Sequence, residues 1–391
     1  MTAIADVEQV TLAEGLHRVL AGPVYSSLDV PPHANSSMDG YAIKLEDWSN
    51  GSGQCLRVSQ RIPAGSIGVA LAERSVARIF TGAPIPENAD AVVMQELCTK
   101  ELCEDGEYIS ISQLPLSGDN IRERGEDIGK NARVLGAGHQ LRAQDVGLLA
   151  SIGVTSLRVV RKLRVAVFFT GDEIIDPGQE LQPGQIYNSN RYTLAAILNR
   201  LGCEVIDLGS VKDSLESTIE AFEKASKAAD LIMTSGGVSV GEEDHIRPAV
   251  EVMGDLAIWR VSIKPGKPLA FGDINGVPFL GLPGNPVSVF ATACVLARPY
   301  IKALQGMAFS PVKGFSVRAG FKLSYVAQRC EYLRVRCVDQ DGGQVLDLYS
   351  NQSSGVLTSA SWADGFAVVN KGKRVEAGDE LEFIPFELFD L

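Results

Sequence analysis

Between residues 164 and 305 the sequence alternates short apolar runs with helix-like stretches, and few architectures accept that alternation. Val165–Phe169 is a continuous apolar run, as a strand buried on both faces requires. Ser189 or Asn190 can cap a helix running to about Leu201, with Gly202 as its stop. Cys203–Leu208 reads as a second strand, and Asp213 with Glu216 forms a D-x-x-E capping box before a helix to about Ala229. Leu231–Thr234 is the third strand, followed by a helix from about Asp244 to Met253 that Gly254 ends. Strands around Ile258–Ile263, Leu269–Phe271 and Phe279–Leu282 precede a last helix from about Val287 to Leu304. This is a three-layer α/β unit, and its ligands should gather at the carboxyl ends of the strands.

Those strand ends carry Thr170-Gly171-Asp172-Glu173, Ser235-Gly236-Gly237, Lys264-Pro265-Gly266-Lys267 and Leu282-Pro283-Gly284-Asn285-Pro286. Residues 234–245 read TSGGVSVGEEDH: glycines and serines, then Glu242, Glu243, Asp244 and His245. Glycines let a backbone approach a ligand, and exposed N–H groups cradle anions. Carboxylates repel anions unless a divalent cation lies between them. The stretch therefore asks for a ligand that is both a phosphate or oxyanion and a metal complex. Lys264 and Lys267, stiffened by prolines and a glycine, are point charges suited to a tetrahedral dianion. His245 stands at a helix start, where a local structural role competes with one as base or ligand.

The flanks differ in pattern. Residues 44–141 hold short β-like runs, Ala77–Phe80, Ala91–Gln95 and Tyr108–Ile111, between Gly, Pro and Asn clusters. Leu12–Leu20 and Ala143–Ser151 look helical and would pair across that insertion. From about Ser310 onward, alternating runs such as Leu333–Val338 and Val345–Leu348, joined by Asp341-Gly342-Gly343, read as a small β-barrel or sandwich.

A net charge of −12 argues against broad binding of nucleic acid or an anionic membrane, so an anionic substrate needs local basic groups. The seven cysteines include no C-x-x-C pair, which suggests reduced thiols in the cytosol. There is no signal-peptide layout and no apolar run of about 18 residues, so a soluble, cytoplasmic protein is expected.

Three further stretches carry candidate chemistry. Asp39-Gly40 sits at a turn after Pro31-Pro32, and Thr81 follows a strand with its hydroxyl free to donate. In NIRERGEDI (120–128), Arg122 and Arg124 flank a carboxylate, a pattern shared by solvated faces and by oxyanion clamps.

Together these stretches resemble the MoeA family of molybdopterin molybdenumtransferases, whose eukaryotic relatives include the gephyrin E domain. The resemblance runs from about Leu12 to Phe386. Its motifs are SSMDGYA (36–42), RIFTGAPIP (78–86), NIRERGEDI, FTGDEI (169–174), GQIYNSNR (184–191), TSGGVSVGEEDH, IKPGKP, GLPGNPVS and NQSSGVLTS (351–359). It implies a multidomain α/β protein: a helical linking domain (1–43 and 142–160), a β-rich insertion domain (44–141), a three-layer molybdopterin- and molybdate-binding α/β domain (161–307) and a C-terminal β-barrel-like domain (308–391).

The resemblance also implies a reaction, the insertion of molybdate into adenylylated molybdopterin with release of AMP, assisted by Mg²⁺. It implies a head-to-tail homodimer with composite sites, and transient contact with the adenylyltransferase and with molybdoenzyme maturation factors. Carried over by motif position, Asp39 and Thr81 would reach the site from the partner subunit. Asp127, Glu173, Asp213 and Asp244 would be carboxylates affecting activity, with Glu173 and Asp244 nearest the metal. Lys264, Lys267, Pro283, Pro286 and Ser288 would frame the oxyanion pocket, with Ser235, Gly236 and Gly237 cradling phosphate and Arg122 and Arg124 as further anion ligands. Two departures stand out: fewer residues precede Leu12 than the family's additional helix needs, and Asn188 replaces an aspartate common in relatives. Alternative readings are the pterin adenylyltransferase, which shares the S-G-G α/β domain, and a non-catalytic pterin-binding scaffold.

Overall fold

The computed structural model describes residues 3–48, 54–238, 244–340 and 342–390. Its contacts divide the chain into two compact units. One comprises residues 1–8, 17–21 and 158–391, and the other residues 9–16 and 22–157.

In the larger unit, the apolar run at 165–169 becomes the strand Arg164–Thr170, buried along almost its whole length. It pairs in parallel with Glu204–Val211 on one side and Leu231–Ser235 on the other. Val277–Leu282 continues the parallel set, and Pro268–Ile274 and Gly254–Arg260 finish the six-stranded sheet antiparallel. The chain leaves its first strand to one side and returns to the other, which opens a crevice at that point.

Alternation along the strands fills both layers. Val165, Val167 and Phe169 pack with Leu194, Ile197 and Leu198 of the helix Ser189–Arg200. Ala166 and Phe168 face the opposite layer, where Phe222 sits edge-on to Phe168 and Phe279 at 5.2 and 5.1 Å.

The helical stretch Pro286–Leu304 corrects one expectation: it is 19 residues long and apolar enough to cross a membrane by length and composition. Its apolarity has an internal cause, since 61% of it is buried. Val289, Ala293 and Ile301 enter the sheet core, whereas Ala291 and Cys294 pack with Phe366 and Ile384 of the C-terminal region. A π-helical turn at Ala293–Ala297 precedes Pro299, whose ring and missing N–H disrupt ordinary α-helical bonding.

The C-terminal strands close into a barrel. Cys330–Gln340 pairs with both Gly343–Leu348 and Gly365–Val369, and Phe315–Ala319 and Glu380–Pro385 complete the ring. Of the two forms the sequence allows, the barrel is the one formed. Asp341, in the turn expected to join two of these strands, lies outside the described residues.

The smaller unit is built on a six-stranded sheet in the order 91–94, 40–43, 75–79, 56–62, 106–111 and 98–103. The helix Ala143–Ser151 forms as expected. Leu12–Leu20 does not: it is a single 3₁₀ turn, Leu12–Gly15, and His17 then takes a left-handed φ of 64°, which breaks any helix.

Candidate functional site

Strand register brings three loops to one level. Phe169 lies opposite Ser235, and Ser235 opposite Leu282, so the segments that follow all leave the sheet together. They surround a cavity of about 750 Å³, lined by Thr170, Gly171, Glu173, Ser235, Gly236, Gly237 and Pro283 to Pro286, among others.

The glycines here have steric causes. At Gly236 (φ 97°) a Cβ would lie 2.5 Å from the Thr170 carbonyl oxygen. At Gly237 (φ 61°) it would lie 2.7 Å from Ile246 Cγ1 and 2.9 Å from Thr170 Oγ1. Only glycine lets this turn sit against the first strand end; the Gly236 N–H is taken by the Leu282 carbonyl at 3.3 Å, and the missing side chains leave room for a ligand to approach.

Side-chain hydrogen bonds lock the loops to each other. Ser235 Oγ donates to the Pro283 carbonyl at 2.9 Å. Asn190 Nδ2 donates to Ser235 Oγ at 2.9 Å and to the Gly284 carbonyl at 2.7 Å. The Asp213 backbone N–H reaches Asp172 Oδ1 at 3.3 Å. Thr170 Oγ1 and Asn190 Oδ1, both on cavity-lining residues, are buried without a protein hydrogen-bond partner, so a ligand or water can take them.

Sequence reasoning missed the role of Asn190, treating it as a possible helix cap. The cap is Asn188, whose side chain accepts from the Arg191 N–H. The aspartate-to-asparagine difference thus falls on a residue that caps a helix and also lines the cavity. Asp213 was expected to open a capping box; Ser214 caps the helix Leu215–Ala228 instead, its Oγ accepting from Ser217. Asp213 itself lines the cavity.

Glu173 and Asp244 line it too, so three of the carboxylates singled out in the sequence share one cavity. Glu173 folds back over Gly171, whose Cβ would meet its carboxylate at 2.6 Å. Asp244 Oδ1 accepts from the Ile246 N–H at 3.3 Å. His245 occupies the N-cap position of the helix Ile246–Met253 and makes no side-chain cap. Glu242 and Glu243 lie outside the described residues.

The expected oxyanion group is split. Pro283, Pro286 and Ser288 line the cavity, whereas Lys264 and Lys267 are not among its lining residues. Lys264 belongs to the short strand Ile263–Lys264, which pairs with Cys330–Glu331 of the barrel rather than with the α/β sheet. Its ammonium is 3.0 Å from Glu331 Oε2 and 3.2 Å from the Tyr325 hydroxyl. Burial works against its charge, but these two partners outweigh it and raise the lysine pKa. Lys267 is exposed. The Val287 N–H at the helix start is taken by the Ser354 carbonyl, which removes one donor expected for an oxyanion.

The remaining candidates lie in the smaller unit. Asp39 Oδ1 accepts from both the N–H and the hydroxyl of Thr81, each at 2.9 Å. Those bonds lower the Asp39 pKa, backbone first, with Arg78 nearby adding to the effect. Gly40 is forced at this corner because a Cβ would lie 2.0 Å from the Val93 carbonyl oxygen. Asp127 and Arg122 are exposed, and Arg124 pairs with Asp29 at 2.7 Å.

Known proteins are similar in sequence and fold. Residues 1–153 match the MoeA N-terminal region (domain I and II), residues 166–303 a probable molybdopterin binding domain, and residues 316–386 the MoeA C-terminal region (domain IV). A molybdopterin molybdenumtransferase of Haemophilus influenzae is 39% identical over 385 residues, 97% of this chain and 94% of that protein. The chain belongs to the molybdopterin molybdenumtransferase family. Another enzyme of that name, from Bacillus subtilis, is 34% identical over 76% of this chain and 70% of its own length. A crystal structure of a molybdopterin biosynthesis MoeA protein from Pyrococcus horikoshii OT3 superposes with a TM-score of 0.84 at 27% identity, covering 98% of this chain and 96% of that one. The family is thus shared across the α/β domain, the barrel and the smaller unit.

Proposed function

We propose that this chain inserts molybdate into adenylylated molybdopterin and releases AMP, the last step of molybdenum cofactor assembly. One observation carries the reading: the S-G-G turn, which has no side chains at Gly236 and Gly237, and the carboxylates of Glu173, Asp213 and Asp244 line a single cavity of about 750 Å³ at the sheet's crevice. That volume suits a pterin nucleotide, and the mixture of anion cradle and acids suits a phosphate bound as a metal complex.

The donor set fits Mg²⁺. Carboxylate oxygens are hard ligands, and Mg²⁺ takes one or two of them alongside substrate phosphates and water. Among the described residues no three His, Cys, Asp or Glu side chains form a cage of their own, consistent with a cation that arrives with the nucleotide. A bound Mg²⁺ would neutralise phosphate charge during cleavage. The chain's own groups do the rest. Gly236 and Gly237 let the backbone approach the phosphates, and Asn190 fixes the two loops that flank them. Glu173 and Asp244 would hold the cation, with Asp213 elsewhere on the lining of the same cavity. Lys264 would offer charge to the incoming oxyanion, next to a loop that packs on the helix bearing Ser288.

The reading extends to assembly as a cytoplasmic homodimer in which Asp39 and Thr81 of one protomer complete the cavity of the other. Its support is that the cavity's described lining comes from residues 169 to 357, whereas the prearranged Asp39–Thr81 pair belongs to the smaller unit. Seven free cysteines accord with a reducing compartment.

Incubation with adenylylated molybdopterin, molybdate and Mg²⁺ tests the function. AMP and molybdenum-bound pterin should both accumulate. Pyrophosphate from ATP and molybdopterin would instead mark an adenylyltransferase, and pterin binding without turnover a scaffold.

A further inference from the structure

A buried carboxylate already occupies the lysine that the oxyanion reading uses. Lys264 Nζ lies 3.0 Å from Glu331 Oε2, 3.2 Å from the Tyr325 hydroxyl and 4.8 Å from the centre of the Tyr325 ring. Tyr325 in turn donates to the same Glu331 oxygen at 2.7 Å.

The two ends of this pair differ in freedom. The Glu331 side chain is 3% exposed, and its backbone is held on both sides, in register with Lys264 on one strand and Val369 on another. The Lys264 side chain is 38% exposed. Glu331 is therefore the fixed partner and the ammonium the mobile one. Pro265 and Gly266 follow directly, and Gly266 packs on the helix: a Cβ there would meet Thr292 Cγ2 at 2.5 Å and the Ser288 carbonyl at 3.7 Å. Ser288 and Pro268, on either side of this contact, line the cavity.

Burying a carboxylate beside a lysine is weakly justified by stability, because apolar residues of similar volume commonly do as well or better. The arrangement does have an electrostatic consequence. An anion approaching Nζ meets an ammonium whose charge is offset by the carboxylate fixed behind it, so its attraction is reduced. An oxyanion that must be passed on to a second substrate gains nothing from tight ground-state binding.

We propose that Glu331, seated by the Tyr325 hydroxyl, is an affinity-setting positioning residue: it holds Lys264 in place and weakens its grip on the oxyanion. This rests on the reading that Lys264 receives molybdate. The pair predicts variants of opposite sign. Glu331→Gln keeps the shape and removes the competing charge, so molybdate binds more tightly. Tyr325→Phe removes the 2.7 Å donor from Glu331 and the longer 3.2 Å contact with Lys264; the shorter, charge-assisted bond is the larger loss, so the carboxylate becomes a stronger competitor for Lys264 and molybdate binds more weakly.

The test is calorimetric titration of the full chain with molybdate alone, for the wild type, Glu331→Gln, Tyr325→Phe and Lys264→Ala. Glu331→Gln should lower the dissociation constant about three- to tenfold, and Tyr325→Phe should raise it about twofold. Lys264→Ala should raise it about tenfold or more. Loss of binding in Lys264→Ala, with Glu331→Gln unchanged or weakened, overturns the counter-charge and leaves the oxyanion site standing. Unchanged binding in Lys264→Ala removes the oxyanion reading itself. If Glu331→Gln does not fold, Tyr325→Phe decides alone: binding as tight as wild type, or tighter, overturns the proposal.

Discussion

Asn190 Nδ2 lies 2.7 Å from the carbonyl oxygen of Gly284, so a side chain in the first turn of one helix fixes the loop that starts another. The same nitrogen reaches Ser235 Oγ, and Ser235 reaches Pro283. One amide thereby ties the S-G-G turn to the neighbouring L-P-G-N-P turn, both of which line the cavity.

Asn190→Ala should loosen that spacing without unfolding the chain. The expected result is a KM for adenylylated molybdopterin raised about tenfold, matching the loss of one or two hydrogen bonds, with Tm within a few degrees of wild type. Steady-state AMP release measures it. A fall in kcat with KM unchanged would place Asn190 in the chemistry rather than in loop positioning.

Glu173→Gln should nearly abolish AMP release and leave the fold intact. The change removes one charge and little volume from a carboxylate that lines the cavity and folds over Gly171. If cation-assisted cleavage uses this group, several kcal/mol of transition-state stabilisation are lost. Wild-type AMP release by the variant would reject the assignment.

Asp39→Asn and Glu173→Gln, each inactive alone, should complement when mixed. If each site takes Asp39 from one protomer and Glu173 from the other, random re-pairing gives hybrids with one intact site. About a quarter of wild-type activity should then return. Sedimentation and subunit exchange must accompany the assay. A monomer, or no rescue despite exchange, contradicts shared sites.

Asp230 tests the architecture rather than the chemistry. Burial opposes its ionisation, but hydrogen bonds from the Arg161 guanidinium and from the backbone and side chain of Arg164 outweigh burial, and its pKa falls from 3.8 to about 2. A depressed carboxylate stabilises the fold above its unfolded pKa, and that contribution fades as pH drops through the folded value. Asp230→Asn should therefore cost about 2 kcal/mol near neutral pH. It should also flatten the loss of stability between about pH 4 and pH 2. Denaturant unfolding across that range is the measurement, and a parallel pH profile for the two proteins would refute the linkage.

The α/β layer order was legible because its cues are local: apolar runs such as Val165–Phe169 and stops such as Gly202 and Gly254 need no distant partner. Cap identities slipped by one residue at Asn188 and Ser214, since several adjacent side chains can accept the same N–H. Lys264 was harder. Its place after an apolar run points to the sheet's rim, yet its strand pairs with Glu331, 67 positions later, and nothing local announces that. Asn190 was hidden for the same reason, as its two partners come from separate strand ends. The apolarity of Pro286–Leu304 was underestimated, since a helix packed against both a sheet and a barrel needs apolar groups on more than one face.

The central claim is that AMP release and molybdenum insertion are one coupled event in this cavity. Its most direct test is a single-turnover experiment with enzyme in excess over adenylylated molybdopterin, Mg²⁺ present, and molybdate supplied or withheld. AMP and pterin-bound molybdenum are quantified in the same sample. The account predicts equal amounts of both products when molybdate is present, with Glu173→Gln producing neither. Full AMP release with no molybdenum in the pterin, at the same rate with or without molybdate, would contradict it.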